Sequence, residues 1–128
     1  MDDRFSVLII EDDDFTASLL TFVLEREGLR VTRVADGGAG QRALLGDQHF
    51  DVVLLEWMLP QVSGLELLTL AKATGWVVPM VVLSSLDTGT DVARAFKAGA
   101  SDHVSRPFNP QELLARVRRL LPQRPRGA

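Results

Sequence analysis

The chain has 128 residues, a net charge of −3 at neutral pH and no cysteine. Its hydrophobic fraction of 46% and charged fraction of 24% are typical of one soluble globular domain. The composition excludes disulfides, thiolate metal sites and thiol catalysis, and the overall charge gives no support for binding to nucleic acid or to a membrane surface. Because the sequence has no signal-peptide pattern and no apolar run near the roughly 18 residues of a membrane span, we expect a cytoplasmic protein.

Short apolar runs alternate along the chain with segments of helical periodicity. The predicted strands cover residues 6–10, 30–34, 51–55, 79–84 and 102–105. The predicted helices cover residues 15–27, 38–47, 64–75, 90–99 and 110–121. Asp14 is expected to cap the first helix, and Asn109 with Pro110 to begin the last one. The apolar residues expected on the buried face of the first helix are Phe15, Leu19, Phe22 and Val23.

This alternation predicts the fold class. Continuous apolar strands that alternate with helices form a parallel sheet covered on both faces. Such open α/β sheets bind ligands at the carboxyl ends of their strands, near the point where the strand order reverses. Residues 1–121 are therefore predicted to form one domain, and residues 122–128, rich in Pro, Arg and Gly, a tail or the start of a linker.

Charged and hydroxyl side chains follow the predicted strands. Glu11 and Asp12 come after the first strand and Glu56 after the third, while Ser84 ends the fourth and Arg106 follows the fifth. Two like charges about 4 Å apart repel by roughly 4 kcal/mol at an effective dielectric of 20, so clustered carboxylates need a metal ion, a proton or a basic side chain. A set of oxygen ligands suits Mg²⁺. The alternative is that the acidic run of residues 11–14 only favours the start of the following helix.

Four stretches together resemble the receiver domain of two-component response regulators: "VLIIEDD", "DVVLLEWMLPQVSGLELL", "VPMVVLSS" and "GASDHVSRPFNPQELLARV". The chain is most similar to the subclass that usually carries a winged-helix DNA-binding domain. The resemblance implies a flavodoxin-like (βα)5 three-layer sandwich whose parallel strands have the order 2-1-3-4-5. It also implies a signalling module of a phosphorelay, not an enzyme, with a histidine kinase or another signalling protein as its partner.

The resemblance also assigns roles by position. Glu56 falls on the phosphoacceptor position. The positions implied to bind the metal are Glu11, Asp12 and the backbone carbonyl of Met58. The positions implied for phosphoryl contact and switching are Ser84, His103, Arg106 and Pro107, of which the last usually follows a cis peptide bond. Without the resemblance, the interpretation of His103 as a half-exposed surface histidine is as good as its interpretation as a switch residue.

A homodimer through helix 90–99, strand 102–105 and helix 110–121 is a further implication of the resemblance. Asp102, Glu112 and Arg116 match charged interface positions of the subclass. Val92 and Lys97 depart from that charge network. The resemblance assigns no nucleic-acid contact and no membrane contact to this domain.

Two departures from the family pattern decide the functional prediction, because the family has aspartate where this chain has Glu56 and lysine where it has Arg106. The extra methylene of glutamate moves the acceptor oxygen, and a misplacement of about 1 Å can cost on the order of 10²-fold in rate. Arginine keeps the positive charge and can bind a carboxylate through two N–H groups. We therefore expect a fixed ion pair of Arg106 with Glu56 or with Asp12, and weak Mg²⁺ binding at most.

The residues and the resemblance leave three functions open. The first is a phosphorylation-independent pseudo-receiver that acts through protein–protein contacts. The second is an ordinary phosphorylated receiver, with Glu56 as an engineered or tolerated acceptor, that controls transcription through a DNA-binding domain not contained in these residues. The third is a Mg²⁺-dependent enzyme that uses Glu56 or Asp12, although the sequence has no glycine-rich nucleotide-binding loop.

Overall fold

Strands and helices alternate throughout the part of the chain that the computed structural model describes, residues 3–84 and 89–122. The strands are β1 (Ser6–Ile10), β2 (Arg30–Val34), β3 (Val52–Glu56), β4 (Met80–Ser84) and β5 (Asp102–Ser105). The helices are α1 (Asp14–Arg26), α2 (Gly37–Leu45), α3 (Gly64–Ala73), α4 (Gly89–Ala98) and α5 (Pro110–Leu120). Every predicted element is present, with ends shifted by at most two residues. The predicted tail lies outside the described residues from residue 123 onwards.

The five strands form one parallel sheet in the order β2-β1-β3-β4-β5, which confirms the predicted flavodoxin-like topology. Successive residues of the central strands are all buried but point to opposite faces. Leu8, Val53 and Val82 belong to the core beneath α2, α3 and α4, and their neighbours Ile9 and Leu54 belong to the core beneath α1 and α5. The two apolar cores explain why the central strands are continuously hydrophobic.

Helix α1 begins one residue earlier than predicted, and its N-cap is Asp13 and not Asp14. The Asp13 carboxylate accepts hydrogen bonds from the backbone N–H of Thr16 at 2.9 Å and from its hydroxyl at 2.6 Å. An aspartate at the N-cap satisfies an N–H group that has no partner within the helix. In a run of consecutive acids the sequence did not distinguish which residue would adopt this role.

The buried face of α1 also differs from the prediction. Val23 is buried as expected, but Phe15, Phe22 and Leu19 are 78%, 58% and 38% exposed. The other residues that α1 buries are Thr16, Ala17, Leu20 and Leu24. The helix carries two apolar stripes at helical spacing, and the one with the smaller residues packs on the sheet.

Helix α5 begins as predicted. The side chain of Asn109 accepts hydrogen bonds from the backbone N–H groups of Gln111 and Glu112, and Pro110 occupies the first turn. The peptide bond between Arg106 and Pro107 is cis, as the resemblance implied. In the described part of the chain no helix has the length and apolarity needed to cross a membrane.

Candidate functional site

The candidate site lies at the carboxyl ends of β1, β3 and β5, where three charged side chains meet. Glu11 follows β1, Glu56 is the last residue of β3 and Arg106 follows β5. Glu11 is fully buried and Glu56 is 7% exposed, whereas Asp12 is exposed. Because β1 and β3 are adjacent parallel strands, the two buried carboxylates lie at the same edge of the sheet.

Arg106 binds both buried carboxylates through a single nitrogen. Its Nη2 donates to Glu11 Oε1 at 2.5 Å and also to Glu56 Oε1. We call these three residues the Arg106 cluster. The predicted pair with Glu56 is therefore present, whereas the other carboxylate that Arg106 contacts is Glu11 and not Asp12, because Glu11 is the member of the acidic pair that points inward.

Backbone groups hold the second oxygen of each carboxylate. Glu11 Oε2 accepts from the backbone N–H of Asp13 at 3.2 Å, and Glu56 Oε2 accepts a long bond of 3.4 Å from the backbone N–H of Met58. The carbonyl oxygen of Glu11 accepts from Arg33 Nε and Nη2 at 3.0 and 2.8 Å. The N–H bonds of Asp13 and Met58 hold the carboxylates independently of Arg106, and the Arg33 bonds hold the backbone at Glu11.

Burial dominates the electrostatics of the Arg106 cluster. It raises the pKa of Glu11 to about 7, against the lowering effects of the Asp13 N–H group and of Arg106. Burial also raises the pKa of Glu56, again opposed by the charge of Arg106 and by the N–H groups of Met58 and Trp57. One guanidinium carries a single positive charge against two carboxylates, so it compensates only part of their desolvation.

The loop after β3 places Glu56 by close backbone packing. The Trp57 N–H donates to the carbonyl of Leu83 at 2.9 Å, and the Gly64 N–H donates to the carbonyl of Trp57 at 3.0 Å. A Cβ atom at Gly64 would lie 2.8 Å from the Glu56 carbonyl oxygen and from the Trp57 Cα atom, closer than side chains tolerate. Glycine at this position therefore lets the loop return onto the end of β3, with the Met58 side chain 67% exposed.

The donor set does not fit a typical Mg²⁺ site. Within residues 3–84 and 89–122, no group of three or more Asp, Glu, His or Cys side chains is arranged to hold a metal ion. Arg106 lies against both of the buried carboxylates, and Asp12 is exposed. A cation at this position would have to displace a guanidinium that already supplies positive charge to Glu11 and Glu56.

The positions expected to take part in switching lie beside this site. Ser84 ends β4, is 2% exposed and pairs in register with Ser105, whose neighbour Arg106 donates its backbone N–H to the Ser84 carbonyl at 2.9 Å. His103 is half-buried on β5. A narrow cleft between β4, β5 and α4 is lined by residues that include Trp57, Ser84, Asp91 and His103. The backbone thus connects Ser84 to Arg106.

A second ionic cluster, which we call the Asp102 cluster, joins β5 to α5. Both carboxylate oxygens of Asp102 accept from Arg116 Nη1, at 3.0 and 2.9 Å, and Oδ2 also accepts from Arg119 Nη2 at 3.0 Å. Arg116 Nε donates to Glu112 at 3.1 Å. Burial alone would raise the pKa of Asp102, but the hydrogen bonds from Arg116 and the His103 N–H, with the charges of Arg116 and Arg119, hold that pKa below its usual value.

Three contacts of the site were not predicted from the sequence. Arg33 on β2 binds the Glu11 carbonyl, Thr16 accepts from Arg106 Nη1 at 3.3 Å, and the Phe108 ring lies 5.4 Å from the Arg106 guanidinium carbon. The contact of Arg33 could have been predicted, because this residue lies near the carboxyl end of a strand that was predicted to adjoin the first strand. The contacts of Thr16 and Phe108 could not have been predicted, because they depend on side-chain conformation.

Comparison with known proteins identifies the class. The family model "Response regulator receiver domain" matches residues 7–118. The chain is 35% identical over 123 residues to the alkaline phosphatase synthesis transcriptional regulatory protein SphR of Synechococcus elongatus, covering 90% of this chain and 48% of SphR. It is 36% identical over 115 residues to the DNA-binding response regulator MtrA of Mycolicibacterium smegmatis, covering 90% of this chain and 50% of MtrA.

Solved structures agree with this result. Response regulator DrrB of Thermotoga maritima, described as an OmpR/PhoB homolog, superposes with a TM-score of 0.80 at 33% identity over 91% of this chain and 52% of DrrB. The chain therefore belongs to the response regulator receiver domain family, and its relatives are of the OmpR/PhoB type, the winged-helix subclass. It spans about half the length of the curated relatives it matches.

Proposed function

We propose that this receiver domain is a phosphorylation-independent signalling module. The observation that carries the proposal is that Arg106 Nη2 binds both Glu11 and Glu56, the residues at the metal-binding and phosphoacceptor positions of the family pattern. The cluster thereby unites the two departures from that pattern in one contact. Receiver domains in general are signalling modules and not typical enzymes, so the enzyme hypothesis finds no support in this site.

Phosphoryl transfer would require several groups of this site to be placed differently. In-line transfer needs the attacking oxygen, a metal ion and a stabilising cation in one alignment. Glu56 extends one methylene further than aspartate, and its Oε1 atom is bound to Arg106. The carboxylate of Glu56 also brings negative charge towards the place of a phosphoryl group, although a phosphoryl group carries about −1.5 to −2 charges and three acceptor oxygens. Glu56 therefore imitates the modified state in part.

The proposed output surface is formed by α4, β5 and α5. It carries the Asp102 cluster and the side chain of Phe96, which is 46% exposed. Arg116 and Glu112 bind within one chain here, and the hypothesis of a homodimer through this surface stays a prediction. We propose a protein partner, such as a histidine kinase or another signalling protein, at this surface, with no direct contact of the domain to nucleic acid, and we expect the module to act in the cytoplasm.

Labelling with a small phosphodonor tests the proposal. Wild-type protein incubated with acetyl phosphate and Mg²⁺ should gain no phosphoryl mass in intact-mass spectrometry. The double variant Glu56→Asp with Arg106→Lys restores the family residues and should become labelled, which makes it the matched positive control. A wild-type adduct that maps to Glu56 would contradict the proposal.

A second candidate function is an ordinary phosphorylated receiver that controls transcription. The observation in its favour is that the curated relatives SphR and MtrA are named as a transcriptional regulatory protein and a DNA-binding response regulator, and that this chain spans about half of each. Under this alternative Glu56 itself accepts the phosphoryl group. The labelling experiment separates the two candidates, because they predict opposite results for the wild-type protein.

A further inference from the structure

Thr16 connects the first turn of α1 to the Arg106 cluster. Its hydroxyl lies 2.6 Å from Asp13 Oδ2 and 3.3 Å from Arg106 Nη1. Thr16 itself is 8% exposed, and both bonds are partly buried. The residue belongs neither to the acidic positions nor to the switch positions of the family pattern.

The chemistry of the partners fixes the direction of both hydrogen bonds. A hydroxyl has one donor and two acceptor positions, an ionised carboxylate only accepts and a guanidinium only donates. The Thr16 hydroxyl must therefore donate to Asp13 and accept from Arg106. One rotamer of Thr16 thus joins the N-cap residue Asp13 to Arg106, while the backbone N–H of Thr16 binds the same Asp13 oxygen independently of that rotamer.

The guanidinium of Arg106 needs such a contact because its other nitrogens leave it incompletely held. Nη2 makes both carboxylate contacts, and Nε is buried without a hydrogen-bond partner in the described part of the chain. A rotation about the Nε–Cζ bond would exchange Nη1 for Nη2 at the carboxylates. The contact of Nη1 with Thr16 opposes that rotation, and the Phe108 ring, 5.4 Å from the guanidinium carbon, covers the plane of the group.

We propose that Thr16 is a positioning residue that sets the orientation of the Arg106 guanidinium and thereby couples the start of α1 to the Arg106 cluster. The proposal rests on the proposed function for its biological meaning, since a constitutively held arginine is what the phosphorylation-independent module requires. Its physical content is separate: the Thr16 hydroxyl, and not the volume of the side chain, holds Nη1.

Three substitutions distinguish the hydroxyl from the volume. Thr16→Val keeps the volume and removes the hydroxyl, Thr16→Ser keeps the hydroxyl and removes a methyl group, and Thr16→Ala removes both. All three leave the backbone N–H of residue 16 free to bind the Asp13 cap. The measurement is the rate at which Nη1 and Nη2 of Arg106 exchange, obtained from nitrogen-15 exchange NMR of the arginine side chain.

Thr16→Val and Thr16→Ala should exchange roughly fivefold faster than wild type, as expected for the loss of one hydrogen bond, and Thr16→Ser should match the wild type. Unchanged exchange rates in Thr16→Val and Thr16→Ala would overturn the proposal. So would faster exchange in Thr16→Ala and Thr16→Ser together with a wild-type rate in Thr16→Val, because that pattern would follow side-chain volume. If the valine variant does not fold, the comparison of Ala with Ser decides alone, since both are smaller than threonine.

The phosphodonor experiment on wild-type protein keeps this result separate from the proposed function. A labelled wild type with hydroxyl-dependent exchange rates would refute the phosphorylation-independent module and retain the positioning role. An unlabelled wild type whose exchange rates do not depend on the hydroxyl would retain the phosphorylation-independent module and refute the positioning role of Thr16. The two failures therefore have different signatures.

Discussion

The Arg106 cluster and the Asp102 cluster surround their buried carboxylates with different numbers of arginines. In the first, one arginine binds two carboxylates, of which Glu11 is fully buried. In the second, two arginines bind Asp102, and the side chains of Arg116 and Arg119 are 38% and 64% exposed. The first cluster lies at the site end of the sheet, and the second lies on the proposed output surface.

The proportion of charges determines which protonation state each cluster favours. The pKa values of Glu11 and Glu56 are raised because burial outweighs the single positive charge near them. The pKa of Asp102 is lowered because two arginines and a backbone N–H outweigh its burial. An arginine–carboxylate contact therefore does not by itself determine whether a site retains its negative charge, and the comparison can be tested by removing charges one at a time.

Removing Arg106 should have the largest effect. Arg106→Met leaves two buried carboxylates without a cation, and breaking a buried ion pair in this way costs about 3–5 kcal/mol of unfolding free energy. The loss should appear in urea denaturation at pH 8 and should shrink at pH 5, where Glu11 and Glu56 bind protons more readily than ordinary carboxylates. A loss that is equally large at both pH values would show that Arg106 acts through packing.

The pH dependence of stability should reveal the raised pKa of Glu11. The pKa rises from 4.5 to about 7 on folding, so the stabilisation is complete below pH 4.5 and is lost as the pH rises to about 7. A shift of this size corresponds to roughly 3 kcal/mol. Chemical denaturation across this range should show the decline in wild type, and Glu11→Gln should flatten it. A wild-type curve that rises over the same interval would contradict a raised pKa of Glu11.

The Asp102 cluster should show the opposite pH dependence with a smaller amplitude. Because the folded pKa of Asp102 lies below its ordinary value of 3.8, the cluster stabilises the protein above that pH and loses the effect as the pH falls through the folded pKa. Asp102→Asn should cost about 1–3 kcal/mol at pH 7 and less at an acidic pH below 3.8. Thermal unfolding at the two pH values measures this difference, and a cost that is independent of pH would contradict the assignment.

The smallest effect should follow the loss of one arginine from the Asp102 cluster. Arg119→Ala leaves Asp102 with both bonds from Arg116, and an exposed ion pair contributes about 0.2–1 kcal/mol. Denaturant unfolding should therefore show a minor change, in contrast to Arg106→Met. If the two substitutions cost the same, the number of arginines per carboxylate would not be the property that distinguishes the clusters.

The fold was predictable from the sequence because its strongest signal, apolar strands alternating with helices, reports the sheet directly. The buried face of α1 was not predictable, because Phe15, Leu19 and Phe22 have the same helical spacing as the stripe that packs on the sheet. Hydrophobic periodicity locates a helix but does not choose between two apolar stripes. The stripe that packs on the sheet contains Ala17, Leu20 and Leu24, whereas Phe15 and Phe22 are exposed.

The residues of the site were predictable from the sequence, but the ion pairs and hydrogen bonds between them were predictable only in part. The pairing of Arg106 with Glu56 followed from two coupled departures from the family pattern. The choice of Glu11 over Asp12 did not follow from that pattern, because the sequence does not say which of the two adjacent acids is buried. The contact with Thr16 depends on two side-chain rotamers, and no pattern of residues encodes those locally.

Titration with Mg²⁺ tests most directly whether Arg106 takes the place of a metal ion. Wild-type protein and Arg106→Met would be titrated at pH 8 by calorimetry, with the amide signals of Glu56, Trp57 and Met58 as a local readout. Removing the competing guanidinium should tighten Mg²⁺ binding by about tenfold or more, a difference of at least about 1.4 kcal/mol. Equal affinities, or a wild type that saturates at low micromolar Mg²⁺, would contradict the account.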